Sequence, residues 1–442
     1  MSTLGKITRR TFLVGSVAIA GGVAFGYWKY KQPIDNPLEA DLDDSAAALT
    51  PYVIIDQQGV SIIAPRAEMG QGVHTTLAAL VAEELEVSLD AIKVLHGPAS
   101  NAYFNAAVLE EGIPFAATDV SRTAEMVRGF TKVPAKFLGL QITGGSSSIP
   151  DAFYKMRTAG AAAREVLLQA ASAQLNVPTS QLSANDGTIL ASDGRSVAYT
   201  DLAVAAANIE PPKEPVLKPR SQWKLLGKSM PRVDVVAKST GTAEFSLAVE
   251  LPDMLYASVR MNPRLGAPMT SFDASKAEAM PGVKRIFQVN NGVAAVATNT
   301  WYAFKAVNAV QCNWANASYA NDTTGLLAAV QDSLSPDHQD SQFRDDGDVD
   351  QALQSGEIIE AEYQVPYLAH AAMEPLNATA WLRDGKLDIW AGNQLPTQAL
   401  KEGAAITGLD EENIRVHTTL MGGGFGRRAE MDFVIQAIRI AK

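Results

Sequence analysis

The chain has 442 residues, 47% hydrophobic and 19% charged, which allows several domains with sizeable cores and excludes wholesale disorder. Its formal charge is −11; residues 1–32 carry Lys6, Arg9, Arg10, Lys29 and Lys31 and no acid, so the remainder stands at −16 (−11 less +5), which repels phosphate backbones and argues against nucleic-acid binding. The single cysteine, Cys312, excludes an internal disulfide, a cysteine-based zinc site and an iron–sulfur cluster held by this chain alone, and the five histidines (His74, His96, His338, His370, His417) are too scattered for metal-ligand spacing.

Thr8-Arg9-Arg10-Thr11-Phe12-Leu13 has the form of a twin-arginine export motif, and an apolar stretch rich in Gly and Ala follows to about residue 27. That stretch is short for a membrane span and has the texture of a signal peptide, so residues 1–30 read as an address for the periplasm. No clean Ala-x-Ala follows, which leaves an uncleaved, membrane-tethering signal open. Residues 31–50 are polar and read as a linker. Strands at 52–55 and 60–64 flank Asp56-Gln57-Gln58-Gly59 as a hairpin. The turn Glu68-Met69-Gly70-Gln71-Gly72 comes next. Leu77, Leu80, Val81 and Leu85 then fall at helical spacing, so a helix starts near His74 or Thr75. A second Gly-containing polar turn, 141–149, opens an Ala-rich helix over 152–175. A short strand at 188–191 lies between Asp-Gly turns, and the Pro- and Lys-rich 209–222 reads as a linker. Residues 223–320 read as a compact α/β module with strands at 255–259, 283–287 and 293–296 and a helix near 274–279. After a polar excursion, strands are expected at 358–365, 379–382, 386–390 and 414–418, with helices at 397–407 and from Phe433 to Ala441. The class is α+β, a mixed α/β chain.

The run Gly422-Gly423-Gly424-Phe425-Gly426-Arg427-Arg428 follows a strand and precedes a helix. Glycine permits positive φ and close backbone approach. Successive amides in such a turn form an anion nest, and Arg427 and Arg428 add charge. It is no dinucleotide fingerprint, because the sixth position from Gly422 is Arg427, and no Walker lysine follows. Met69-Gly70-Gln71-Gly72 has the same logic: Gln71 offers donors and an acceptor, and the helix behind adds its positive end. Ser146, Ser147 and Ser148 lie at another helix N-terminus, where serine caps amides. Each of these alone serves a structural turn as readily as a ligand. His370 and Glu374 form a candidate pair of the sort that is ordinarily structural, and Cys312 reads as inert.

In their order, residues 68–76, 141–148, 369–375, Gln394 and 421–428 resemble the molybdopterin-binding large subunit of the xanthine oxidase/aldehyde oxidase family. The nearest likeness is to the exported isoquinoline 1-oxidoreductase β-subunit type, often labelled membrane-bound aldehyde dehydrogenase. Residues from about 241 to 282 resemble that family's α/β-hammerhead domain. The resemblance implies molybdopterin-binding segments, at 51–208 and 321–442, flanking a hammerhead-like domain at 223–320. It implies a molybdenum cofactor held by a pterin dithiolene, in the cytosine dinucleotide form, and oxidation of aldehydes or N-heterocycles with water as the oxygen source. By match, Gly424 and Phe425 lie near the molybdenum and Gln394 near its apical oxygen. The turns 69–72 and 146–148, with Gly422, Gly423, Gly426, Arg427 and Arg428, hold pyrophosphate and pterin edges. A small [2Fe–2S] subunit is implied as partner, with a c-type cytochrome as acceptor.

Three departures stand beside this resemblance. Phe425-Gly426 is followed by Arg427-Arg428, the exported branch's form of a loop that more often ends Gly-Gly-Lys. The 69–72 turn precedes the hammerhead-like module, as in a circular permutation. The chain stops at Lys442 inside a helical pattern, with no counterpart of the family's catalytic Glu in a Gly-x-Gly-Glu segment. The expectation is therefore the N-terminal part of a hydroxylase large subunit, partnered by a C-terminal half. The alternative is a non-catalytic molybdopterin-binding or assembly protein.

Overall fold

The computed structural model describes residues 32, 34–113, 115, 119–340 and 347–442. The twin-arginine motif and its apolar stretch lie outside the described residues. The chain divides into two units: one runs up to Val249 and resumes over Ala372–Ala441, the other is Glu250–Ala371.

The first unit begins with an antiparallel meander, β1 (Ala47–Thr50), β2 (Val53–Asp56) and β3 (Gly59–Ile63). The polar stretch expected to reach residue 50 thus ends in a strand, because Ala47 and Leu49 are buried in the meander's core. Helix α1 (Val73–Leu85) crosses over and returns the chain as β4 (Ile92–Leu95), parallel to β3. Two helices follow, α2 (Arg122–Leu138) and α3 (Ser148–Leu175). Three short strands, β5 (Leu182–Asn185), β6 (Thr188–Ala191) and β7 (Ser196–Ala198), form an antiparallel sheet before α4 (Tyr199–Ala207).

The core of this half is the α1–α3 contact. Gly160, Ala161, Ala162 and Ala163 are the small residues that permit it: a Cβ at Gly160 would lie 2.5 Å from the Val81 carbonyl oxygen and 3.1 Å from Val81 Cα. Polar staples surround the contact. Arg157 donates twice to Glu84 Oε1, at 2.9 and 2.6 Å, and Glu84 Oε2 accepts the Lys218 amide. Glu83 accepts the amides of Lys224, Leu225 and Leu226. The Pro- and Lys-rich stretch read as a linker is therefore a strap tied onto α1, and it leads to the short helix α5 (Val235–Thr240).

In the second unit, β8 (Tyr256–Arg260), β10 (Val283–Val289) and β11 (Gly292–Ala297) form an antiparallel sheet in the order β10–β11–β8. Strand β9 (Met269–Asp273) precedes α6 (Ser275–Glu278) and pairs with β12 (Gln311–Trp314), which follows α7 (Thr300–Ala309). Ile286, Val293, Ala306 and Val307 make its core. Helices α8 (Thr323–Ser333) and α9 (Val349–Leu353) follow. The strand expected at 358–365 does not form: the segment has no regular structure. Its alternation of Ile359, Tyr363 and Val365 marks a face, but a strand exists only where a neighbour takes up its backbone hydrogen bonds, and it pairs with none among the described residues.

The first unit resumes with β13 (Ala378–Arg383) antiparallel to β14 (Lys386–Ala391), then α10 (Pro396–Thr407), β15 (Ile414–Thr418) and α11 (Asp432–Ala441). Strands β14 and β15 are parallel, with Ala391 opposite Thr418. Their carboxyl ends therefore lie side by side, and the loops carrying Gln394 and Gly422–Arg428 leave the sheet together.

The α1–α3 contact can be tested directly. Gly160→Val gains a few tenths of a kcal/mol in helix propensity but forces a branched side chain against backbone that cannot yield, so a net loss of about 2 kcal/mol is expected. An unchanged chemical-denaturation midpoint would show that the helices have room to part.

Candidate functional site

Four loops of the first unit meet: 66–72 before α1, 141–147 before α3, 392–395 after β14 and 420–428 after β15. Hydrogen bonds stitch them together. The Met421 amide donates to Glu68 O at 3.0 Å, the Thr143 amide to Gln394 O at 2.9 Å, and the Gln394 amide to Arg428 O at 3.0 Å. Thr143 Oγ1 accepts the Ala67 amide, and Gln394 Nε2 donates to Thr143 O at 2.8 Å.

At the centre stands Gly424. A Cβ there would lie 2.9 Å from Met69 Sδ and 3.3 Å from Gln394 Oε1. Gln394 is buried, and its Oε1 has no hydrogen-bond partner. Its orientation is set by the Nε2 bond to Thr143, so the orphaned atom is the oxygen. Leaving a buried acceptor unpaired costs about 1–3 kcal/mol, so the position asks for an occupant. Phe425 is 70% exposed with φ +55°, a left-handed conformation uncommon for a bulky residue.

The structure brings Met69, Gln394 and Gly424 together as the order of motifs suggests, but corrects several roles. Arg428 is 0% exposed. It donates to Gly423 O, Gly392 O, Glu374 O and Glu374 Oε2, so it braces the loop instead of adding charge to a ligand. Burial pushes its guanidinium down and the Glu374 carboxylate pushes it back. Arg427 is bidentate to Asp432, at 2.8 and 2.6 Å, and is likewise spent. Glu374 pairs with Arg428 and not with His370: it accepts the Gly422 amide at 2.9 Å, the Leu247 amide and the Ser246 hydroxyl. His370 belongs to the other unit and is exposed.

The amides of Met69, Gly70 and Gly72 are also taken. Glu68 Oε1 accepts Gly70 and Gly72 at 2.9 and 3.1 Å, and Oε2 accepts His74 at 3.2 Å. Gln71 folds back, accepting the Met69 amide and donating to Ala67 O. An anion nest does form here, but the chain's own carboxylate fills it. Burial pushes Glu68 up, and the amides of Gly72, His74 and Gly70 with Lys238 outweigh it and hold it below the usual carboxylate range. Glu68 was legible as an acid ahead of Gly-x-Gly and a helix, the place where a carboxylate caps orphan amides.

Ser147 is buried: its hydroxyl donates to Gly144 O and accepts from Asn105 Nδ2. Ser148 is the first residue of α3, and Ser146 is exposed with φ +52°. Among the described residues, the amides of Gly144, Gly145 and Ser146, and of Gly423, Gly424, Phe425 and Gly426, make no protein hydrogen bond. They lie in two of the four loops, and the first group stands at the positive end of a 28-residue helix. A cavity of about 1810 Å³ is lined by His74, His96, Lys228, Arg232, Trp390 and His417. Burial pushes the His96 imidazole down to about 3, so it is neutral there.

Glu68's depressed pKa means its contribution is complete above the ordinary carboxylate value, about 4.3, and is lost as pH falls through the folded value. Glu68→Gln should therefore lower hydrogen-exchange protection of the Gly70, Gly72 and His74 amides about tenfold at pH 7, as acid should in the wild type. Unchanged protection in the variant would mean another group fills the nest.

The molybdopterin cofactor-binding domain family matches residues 333–441, and a second family of the same description matches residues 16–107. The chain is 29% identical to the beta chain of isoquinoline 1-oxidoreductase from Brevundimonas diminuta, across 99% of this chain and 58% of that one. It is 27% identical to a membrane-bound aldehyde dehydrogenase of Gluconacetobacter polyoxogenes (99% and 54%) and 27% identical to a nicotinate dehydrogenase chain of Pseudomonas putida (85% and 29%). It thus spans between about a third and three fifths of these curated relatives. Among solved structures, the aldehyde oxidoreductase of Desulfovibrio gigas aligns at TM-score 0.38 and 18% identity, over 55% of this chain and 32% of that one. With two such domains and these relatives, the chain belongs to the xanthine oxidase family of molybdopterin-binding subunits, in the branch of the isoquinoline 1-oxidoreductase β chain.

Proposed function

We propose that this chain forms the pterin-side wall of an exported molybdenum hydroxylase that oxidises aldehydes or N-heterocycles. The observation that carries the reading is the buried, unpartnered Gln394 Oε1 facing Gly424 beside Met69 Sδ. The residues fit a molybdopterin: the free amides at 144–146 and 423–426 suit its phosphate and polar edges, and the absence of a side chain at Gly424 leaves space beside an acceptor. The same free amides would hold the second phosphate of a cytosine dinucleotide form. When bound, the molybdenum–dithiolene group supplies two-electron oxidation of carbon with water as the oxygen source.

The chain's own residues hold and shape. Gln394 Oε1 accepts a hydrogen bond from an O–H in the site, and its amide is fixed for that by Thr143. Met69 keeps bulk water off that acceptor. Glu374 and Arg428 keep the 422–426 backbone in one conformation, so its amides need not reorganise. One cysteine cannot hold an iron–sulfur cluster, so these 442 residues would need clusters from outside themselves to carry electrons away. The partner that supplies them is a small [2Fe–2S] subunit, with a c-type cytochrome as acceptor.

The test is the metal and pterin content of the complex purified with its co-encoded partners. About one molybdenum and one pterin per chain are expected, with dye reduction by an aldehyde or azaheterocycle. Gly424→Val should lose both metal and pterin while the protein stays folded, because a branched side chain fills the space next to Gln394. A molybdenum-replete complex without pterin sinks the reading, and one that holds the cofactor yet oxidises no substrate points to a carrier. Export is tested separately: Arg9→Lys with Arg10→Lys should leave precursor in the cytoplasm, and undiminished periplasmic yield would refute the twin-arginine route.

A further inference from the structure

Helix α2 (Arg122–Leu138) is amphipathic in the wrong direction for a helix of a soluble body. Its packed side is small, Ala124 and Ala135 with the Arg128 stem, while its bulky residues face out. Met126, Phe130, Val133 and Phe137 recur at the spacing of one helical stripe. Met126 is 57%, Phe130 68% and Phe137 50% exposed. Arg122, Lys132 and Lys136 line one flank of that stripe. The helix carries one acid, Glu125, which is paired with Arg128. A net +3 on 17 residues stands out in a chain of −11.

The second observation is positional. Lys136 Nζ, in the last turn of α2, donates to Gln32 O at 2.7 Å. Gln32 follows the apolar, basic N-terminal stretch directly in sequence.

We propose that α2 is an interfacial membrane helix that lays Met126, Phe130 and Phe137 into the surface of an anionic bilayer, with Arg122, Lys132 and Lys136 on the headgroups. An apolar stripe with a basic flank matches such a surface, and the stripe's bulk and the flank's charge act together. Among the described residues no helix is long and apolar enough to cross a membrane.

The test reads α2 itself. Gly129→Cys, where a Cβ meets nothing within 4 Å, is labelled with an environment-sensitive nitrobenzoxadiazole dye in the full chain carrying Cys312→Ser. Phosphatidylcholine vesicles with about three tenths phosphatidylglycerol should raise and blue-shift the emission, about threefold in intensity, and pure phosphatidylcholine vesicles much less. Phe130→Asp in the same background should abolish the rise. Emission that stays unchanged while the chain floats with the vesicles would show that the N-terminal stretch alone binds lipid, and would overturn the proposal. So would a rise that needs no lipid and grows with protein concentration, the sign of a second copy, or one that appears when a purified partner protein is added without vesicles.

Discussion

The ion pair between Arg428 and Glu374 holds the rest of the site in place. Both side chains are buried, and between them they take up Gly392 O, Gly423 O, the Gly422 amide and the Ser246 hydroxyl. Such a pair adds little net stability, because dehydrating two charges offsets their attraction, but losing one partner costs about 3–5 kcal/mol. Its value here is specificity. A loop with four glycines has many conformations of similar energy, and one guanidinium donating to its carbonyls selects a single one. The parallel β14–β15 pairing delivers the loop to the right edge, and the ion pair sets its shape.

The same device recurs. Glu68 fills the amides ahead of α1, Glu374 takes the Gly422 amide, and Glu83 gathers three amides of the strap at 224–226. Backbone donors that an external anion might have used are satisfied by the chain's own carboxylates. The amides at 144–146 and 423–426 stay open, as does Gln394 Oε1. A site of this kind is preorganised, since the donors that remain are held by neighbours already paired. It also accounts for a family member so poor in histidine and cysteine clusters. On the function proposed above, the protein contributes shape and oriented dipoles, and the redox chemistry belongs to the cofactor.

Legibility followed locality. Strands β6, β13, β14 and β15 and helices α1, α3 and α10 were readable to within a few residues, because alternation, helical spacing and Gly or Pro punctuation act over short range. Helix α2 was not, since Gly129 and Pro134 interrupt it and its bulky stripe reads as no core. The expected strand at 358–365 failed for the converse reason: its alternation is local, but a ladder is not. The site divided in the same way. Gly424, Met69 and Gln394 were legible through their motifs. Thr143, which orients Gln394, acts through a contact that no spacing reveals.

Sequence alone determined the family, the poverty of metal ligands and the glycine positions, because each is a matter of residue type in linear order. Tertiary structure decided which charges are spent inside the protein. Arg427 and Arg428 look alike as neighbours, yet one lies on the surface against Asp432 and the other is sealed on Glu374. The difference arises because a charge's role depends on what faces it after folding, and here the facing groups come from residues as far as 54 positions away.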